Sequence, residues 1–286
     1  MRLARPAIVW RAAVCLLALV VTGLTAATSA HAAPDRRTDS LRVLSYNIHH
    51  GAGVDGVLDL ERIASDIEAS GAEVIGLQEV DNHWGERSDW VDQAAWLADR
   101  LGMYHVFGAN LDLPPAEGQT HRQQYGTAIL SRYPITRSSN RLLTSIEYPE
   151  RPTEQRGLLH AEIDVRNSKI DVYSTHLDHQ RTEQRLLQAQ EVRSVIDIHR
   201  GTAILTGDMN ADPGTEEIDL LTSEPFVDSF AGSDGDFTYP AEAPKARIDY
   251  LIGYDVLSIT DAEVYDSQAS DHRPLGATVT FRRPQR

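Results

Sequence analysis

TAILTGDMN, residues 202–210, is the stretch from which the fold is read. An apolar, β-branched run passes through Gly207 into Asp208 and Asn210. Such a run reads as a strand buried on both faces. Polar groups at its end are expensive to bury unless they bind one another, a metal or a substrate. The same grammar recurs outward along the chain. RVLSYNI (42–48) carries Asn47 near its end, VIGLQE (74–79) ends at Glu79, and IDVYSTH (170–176) ends at His176. RIDYLI (247–252) carries Asp249 near its start, and Asp271-His272 precede a final apolar run at 275–281. Taken singly, each has a plain reading as a turn former, surface acid or core histidine; together they predict one polar centre.

Between these runs the period changes from two to 3.6. Leu60, Ile63, Ala64 and Ile67 predict a helix over 60–70, with Asp59 as N-cap and Gly71 as terminator. Further helices are expected over 88–101 and 181–199, and strands over 73–80, 104–107, 127–131, 158–165, 169–175, 202–206, 248–252 and 275–281. Residues 166–168 read as a hairpin turn. Residues 108–125 and 223–247 read as long loops. The expectation is an α/β fold: two mixed sheets stacked face to face, with helices outside.

The chain has 286 residues, 41% of them hydrophobic and 24% charged, which excludes a disordered, collagenous or coiled-coil protein. Its net charge of −15 argues against a surface built to coat nucleic acid. Residues 1–33 read as a secretory signal peptide. Arg2, Arg5 and Arg11 precede an apolar run at 12–27, and Ala30-His31-Ala32 suits cleavage near Ala32. Its removal takes away three arginines and no acid, moving the charge to −18, and also takes the sole cysteine, Cys15. Residues 34–40 read as a flexible leader and 41–286 as one domain. A secreted monomer without a stable membrane anchor, held together by burial rather than disulfides, is expected.

SYNIHHG (45–51), LQEV (77–80), YGTAILSRYPI (125–135), STHLD (174–178), TGDMNADP (206–213), RIDYL (247–251) and SDHRPL (270–275) occur in this order. In that series the chain resembles the endonuclease/exonuclease/phosphatase superfamily, also called DNase I-like. The resemblance implies a four-layer α/β/β/α sandwich and metal-dependent hydrolysis of phosphate esters. It implies metal-site roles for Asn47, Glu79 and Asp271, with Mg²⁺ as the ion and Mn²⁺ or another divalent cation as substitutes. It implies catalytic roles for His176, Asp208, Asn210, Asp249 and His272. His176 and Asn210 match donors to phosphate oxygens. In one scheme His272, paired with Asp249, activates water; in another Asp208 does so and His272 stabilises the transition state. The chain departs from the family where some members carry an acid two residues after the asparagine; here His49 and His50 stand. Met209 replaces a frequent phenylalanine.

Arg156 in TEQRGLL is a candidate phosphate clamp, against a solvated strand-start arginine, and Tyr125 a candidate for the rim. Arg185 and Gln188 read as braces from the helix to the loop before it. Trp84 and Trp90 are the nearest candidates for a rim contact with a lipid headgroup. The expected substrate is a phosphodiester, either a lipid headgroup or a small molecule. A nucleic acid cut at the same site is the alternative, a phosphomonoester a further one, and a binding module on a dead scaffold the remote one.

Overall fold

Strands that are apolar on both faces need a cover on each side. The computed structural model, which describes residues 38–150, 152–198 and 201–283, shows how that need is met. In chain order the elements are β1 (Thr38–Asn47), α1 (Leu60–Ser70), β2 (Val74–Asn82), α2 (Gln93–Leu101), β3 (Tyr104–Leu113), β4 (Gln123–Ser131), β5 (Ile135–Leu142), β6 (Gly157–Val165), β7 (Ser168–His176), α3 (Thr182–Asp197), β8 (Ala203–Asp208), α4 (Glu216–Thr222), β9 (Phe226–Asp228), β10 (Asp249–Tyr254), β11 (Ser258–Val264) and β12 (Leu275–Arg282). One sheet has the order β11-β12-β1-β2-β4-β3 and the other β5-β6-β7-β8-β10-β9. This is the two-sheet sandwich expected from the sequence.

Both sheets follow one plan. A central parallel pair, β1 with β2 and β7 with β8, is flanked on both sides by antiparallel strands. Parallel neighbours need a crossover, which α1 and α3 supply. Alternation along each strand then sorts the side chains. Val43, Val74, Val172, Ile204 and Leu251 point into the apolar layer between the sheets. Their neighbours Leu44 and Ile75 pack under Ile63, Ile67, Ala94 and Leu97 of α1 and α2, while Tyr173, Leu205 and Ile252 pack under Val192, Ile196 and Leu221 of α3 and α4.

Local signals hold where they are chemical. Asp59 accepts from the backbone N–H of Glu61 and Arg62, and Gly71 ends α1 at φ 66°. Arg166 and Asn167, both at positive φ, close the β6–β7 hairpin in place of a glycine turn. Other boundaries move. β1 begins at Thr38, inside the 34–40 leader segment, because Asp39 is tied to Arg166 at 3.1 Å and to Arg283 at 2.8 Å. The helix expected from 88 begins at Gln93, where Asp92 supplies the cap to Ala95 N–H. Half of the 108–125 loop is strand, since β3 runs on to Leu113 and β4 begins at Gln123, and the loop proper shrinks to 114–122. β5, β9, β11 and α4 are absent from the sequence expectation: β5 and β11 are edge strands with mostly exposed residues, and β9 and α4 are short. The signal-peptide reading of 1–33 lies outside the described residues. Among the described residues no helix is long and apolar enough to cross a membrane.

The sheets approach closely where β2 faces β8. A Cβ placed on Gly76 meets Thr206 Oγ1 at 1.8 Å and Thr206 Cβ at 2.8 Å. We expect Gly76→Ala to cost about 1–3 kcal/mol through overpacking, measured by urea unfolding, and Thr206→Ala in the same background to recover part of it. An unchanged midpoint for Gly76→Ala contradicts this packing.

Candidate active site

The direction of the four central strands sets the site. Asn47 and Glu79 stand at the carboxyl-terminal side of β1 and β2, His176 and Asp208 at that of β7 and β8. Asp208 is register partner to His176 on one side and to Asp249, the first residue of antiparallel β10, on the other. Leu275 of β12 lies opposite Ser45 of β1, so Ser270-Asp271-His272 enter at the same edge. Carboxyl ends of parallel strands are a recurrent location for ligand sites in α/β proteins.

Glu79 reaches the edge by a bulge. Leu77 pairs with Ala128 and Val80 with Gly126, so Gln78 and Glu79 oppose one residue, and Glu79 takes φ 56°. Gln78 turns inward and donates to Ser174 Oγ at 3.0 Å. Asn47 joins the sheets. Its Oδ1 accepts the His49 backbone N–H, a group that can only donate, so the Nδ2 face is turned to the carboxylates. Nδ2 donates to Glu79 Oε1 and Asp208 Oδ2, both at 3.0 Å. In this orientation Asn47 positions two carboxylates rather than offering them an oxygen.

Around Asp208 the remaining groups converge. Its Oδ1 accepts the Asn210 backbone N–H at 2.9 Å. Its Oδ2 lies 3.5 Å from His176 Nε2 and 3.7 Å from His272 Nε2. His272 Nδ1 is 2.9 Å from Asp249 Oδ2, and Ser270 Oγ ties the segment to the Asn47 carbonyl at 2.7 Å. A cavity of about 490 Å³ opens on this centre. Eight of the ten residues singled out from the sequence line it: Glu79, Tyr125, Arg156, His176, Asp208, Asn210, Asp271 and His272. Asn47 and Asp249 are fully buried behind them.

Arg156 is 2% exposed, so the solvated-arginine reading does not hold. It pairs with Glu154 at 2.7 Å and reaches His179 Nδ1 at 3.0 Å, while its Nε has no hydrogen-bond partner. Arg185 braces as expected, bonding Glu217 and the Asp178 carbonyl, and Gln188 accepts the Asp178 N–H. Trp84 lines the cavity beside Tyr125, whereas Trp90 lies in a turn at positive φ. Six wall residues escape sequence reasoning: Arg87, Leu111, Glu154, His179, Tyr239 and Ile248. Tyr239 packs against His272 with ring centroids 4.7 Å apart and planes tilted by 42°, from a loop without periodicity. Arg87 grips the buried Asp81 through two bonds of 2.8 and 2.7 Å.

Burial and charge divide the protons. Burial, then the neighbouring Asp249, pushes Asp208 up to about 7, against the pull of His272 and Asn47. Burial alone would lower His272, but the carboxylates of Asp249, Asp208 and Asp271 outweigh it and raise the imidazole to about 10. Burial, with Arg156 and His272 adding, holds His176 well below its ordinary 6.5, as a neutral ring. Asp249 Oδ1 is buried without a partner. Asp208, Asp249 and His272 form one cluster of metal-capable atoms, and His49, His50 and Glu79 another.

Residues 44–272 match the sequence model of the Endonuclease/Exonuclease/phosphatase family. The chain is 26% identical over 255 residues to the protein YbhP of Escherichia coli, covering 84% of this chain and 96% of that one. Among solved structures it is similar to an endonuclease/exonuclease/phosphatase from Beutenbergia cavernae, at 27% identity and TM-score 0.68, covering 87% and 72% of the two chains. A mannosyl-6-phosphatase of Bacteroides thetaiotaomicron shares the fold at 20% identity and TM-score 0.67, over 84% and 100%.

The raised value of His272 has a sign that can be measured. The stability contributed by its protonation is complete below about pH 6.5 and is lost as the pH rises through about 10. In metal-free protein, ¹⁵N shifts of the imidazole are expected to show His272 still protonated at pH 8, and Asp249→Asn to bring its midpoint down. A wild-type midpoint at or below the ordinary value of about 6.5 contradicts the assignment.

Proposed function

The chain belongs to the endonuclease/exonuclease/phosphatase family, whose members are hydrolases acting on phosphoesters, and from that premise we propose that it hydrolyses the phosphodiester of a small molecule or lipid headgroup with a divalent cation held at Glu79. The observation that carries the reading is the single cavity lined by eight of the ten candidate residues, with Asn47 and Asp249 bonded behind them. The chain's net charge of −15 favours a small phosphoester over a long polyanion. Action outside the cell follows from the signal-peptide reading of residues 1–33.

Enzymes of the family typically depend on a divalent metal, and the donor set here suits one. Glu79, Asp208, Asp249 and Asp271 crowd a single edge, and Asp249 Oδ1 has no partner inside the protein. Glu79 and Asp271 are the oxygens that would hold the ion, with Asn47 fixing Glu79. When bound, the cation neutralises phosphate charge and polarises the ester.

The chain's own groups do the rest. Asp208, held through Oδ1 by the Asn210 N–H, orients the attacking water and accepts its proton at Oδ2. Its raised value near 7 leaves it basic enough at neutral pH to do so. His272 is kept protonated by Asp249, so it serves as a donor to a non-bridging oxygen rather than as the base. Of the two schemes open from the sequence, this geometry favours the one in which Asp208 handles the water. His176 and the Asn210 amide are further donors at the same cavity, and Arg156 is positioned to clamp the phosphate.

We expect Glu79→Gln, His176→Ala, Asp208→Asn and His272→Ala each to lower kcat on bis-p-nitrophenyl phosphate by about 10²–10⁴-fold, with circular dichroism showing each variant folded; His272→Ala, which removes the cation beside Asp249 and Asp208, also lowers the unfolding temperature. Full activity in all four, or undiminished hydrolysis in EDTA, contradicts the mechanism. In a panel of sphingomyelin, glycerophosphodiesters, inositol phosphates, plasmid DNA and RNA, the lipid and small diesters should turn over fastest. Fastest cleavage of DNA or RNA overturns the substrate reading while leaving the chemistry intact.

A further inference from the structure

His49 and His50 have no task in that mechanism, yet they stand at the same edge. They follow Asn47 closely, in a single 3-10 turn (His49–Gly51) with φ of 44° and 45°. Glu79 arrives from the β2 bulge. Two chain segments thus bring three side chains together, and one ligand atom from each lies within 4.8 Å of the others. Ligand atoms of a tetrahedral ion with bonds of about 2.1 Å stand about 3.4 Å apart, so side-chain rotation must draw this group inward by roughly 1 Å to close it on a cation. Asp271 Oδ1 lies 3.7 Å from His49 Nδ1, outside this group of three.

Hydrogen bonding prepares the rings. His49 Nδ1 lies 3.2 Å from the Ala52 carbonyl oxygen. A carbonyl only accepts, so Nδ1 carries the hydrogen and Nε2 keeps its lone pair. A backbone carbonyl on the far ring nitrogen is a common support of a metal-binding histidine. His50 is anchored through its main chain, since Gln93 Nε2 donates to its carbonyl at 2.7 Å. Its ring meets His49 edge-on at 4.4 Å and has no hydrogen-bond partner among the described residues.

Mg²⁺ takes oxygen ligands and water, whereas imidazole selects later transition metals. We propose that His49 and His50 join Glu79 in holding a transition-metal dication of the Zn²⁺ and Co²⁺ class, so that this site prefers such an ion to Mg²⁺. The proposal rests on the reading of Glu79 as the metal anchor, and it replaces the oxygen-only ion implied by the family resemblance.

The test is titration of metal-free protein with Co²⁺, followed by ligand-field absorption, together with calorimetry for Co²⁺, Zn²⁺ and Mg²⁺. Wild type should bind Co²⁺ and Zn²⁺ at least about 100-fold more tightly than Mg²⁺. The double variant His49→Ala with His50→Ala should lose about 10–100-fold in Co²⁺ affinity and change the absorption band, with Mg²⁺ affinity within about twofold. The pair His49→Asn with His50→Asn tolerates the left-handed turn and preserves the fold, and should show the same loss. Unchanged Co²⁺ affinity and spectrum in both pairs, with binding abolished by Glu79→Gln, overturns the histidine ligands and leaves the Glu79 anchor standing. Full Co²⁺ binding in Glu79→Gln overturns the anchor, and the proposed function with it.

Discussion

Strand direction is the constraint on which the rest depends. β1 and β2 run parallel in one sheet and β7 and β8 in the other. Because all four end at one edge, side chains distant in sequence become neighbours without any long loop to carry them. Two contacts show the alignment. Asn47, closing β1, bonds Asp208, closing β8. Gln78 of β2 bonds Ser174 of β7 in the layer just beneath. If either sheet were turned end for end, the same sequence would place two half-sites on opposite sides of the molecule.

That alignment creates an electrostatic cost that the site itself must offset. Asp208 and Asp249 are register partners on adjacent strands, both almost wholly buried. Like charges so close cannot both stay ionised without a counter-charge. The protein supplies part of it through His272 on Asp249, and Asn47 adds a neutral hydrogen bond to Asp208. Glu79 and Asp271 add more negative charge on the cavity side, which a divalent cation and a phosphate together would complete. Left-handed backbone at His49, His50, Glu79 and Asn210 is a local strain of the kind that gathers at functional sites.

Much of this was legible because burial on both faces leaves a strong trace. The interiors of β1, β2, β7, β8 and β10 are nearly continuous apolar runs, so their polar ends stand out. Edge strands β5 and β11 expose most of their residues, and their sequences lack the contrast that marks a strand. The aim of Glu79 was beyond reading, since a one-residue bulge decides whether it or Gln78 faces the cavity. Tyr239 sits in an aperiodic loop, and its meeting with His272 is wholly a matter of tertiary structure. The burial of Arg156 was equally invisible, because Glu154 and His179 enclose it only once the segment before β6 is folded.

The central claim is that one cation-holding centre forms where both sheets end. A crystal structure of the protein soaked with Mn²⁺ and inorganic phosphate, with anomalous scattering recorded at the manganese edge, tests it most directly. The account expects an anomalous peak in contact with Glu79 and phosphate oxygens facing His176, Asn210 and His272. A peak bound elsewhere, with Glu79 free of metal and phosphate outside the cavity, contradicts it.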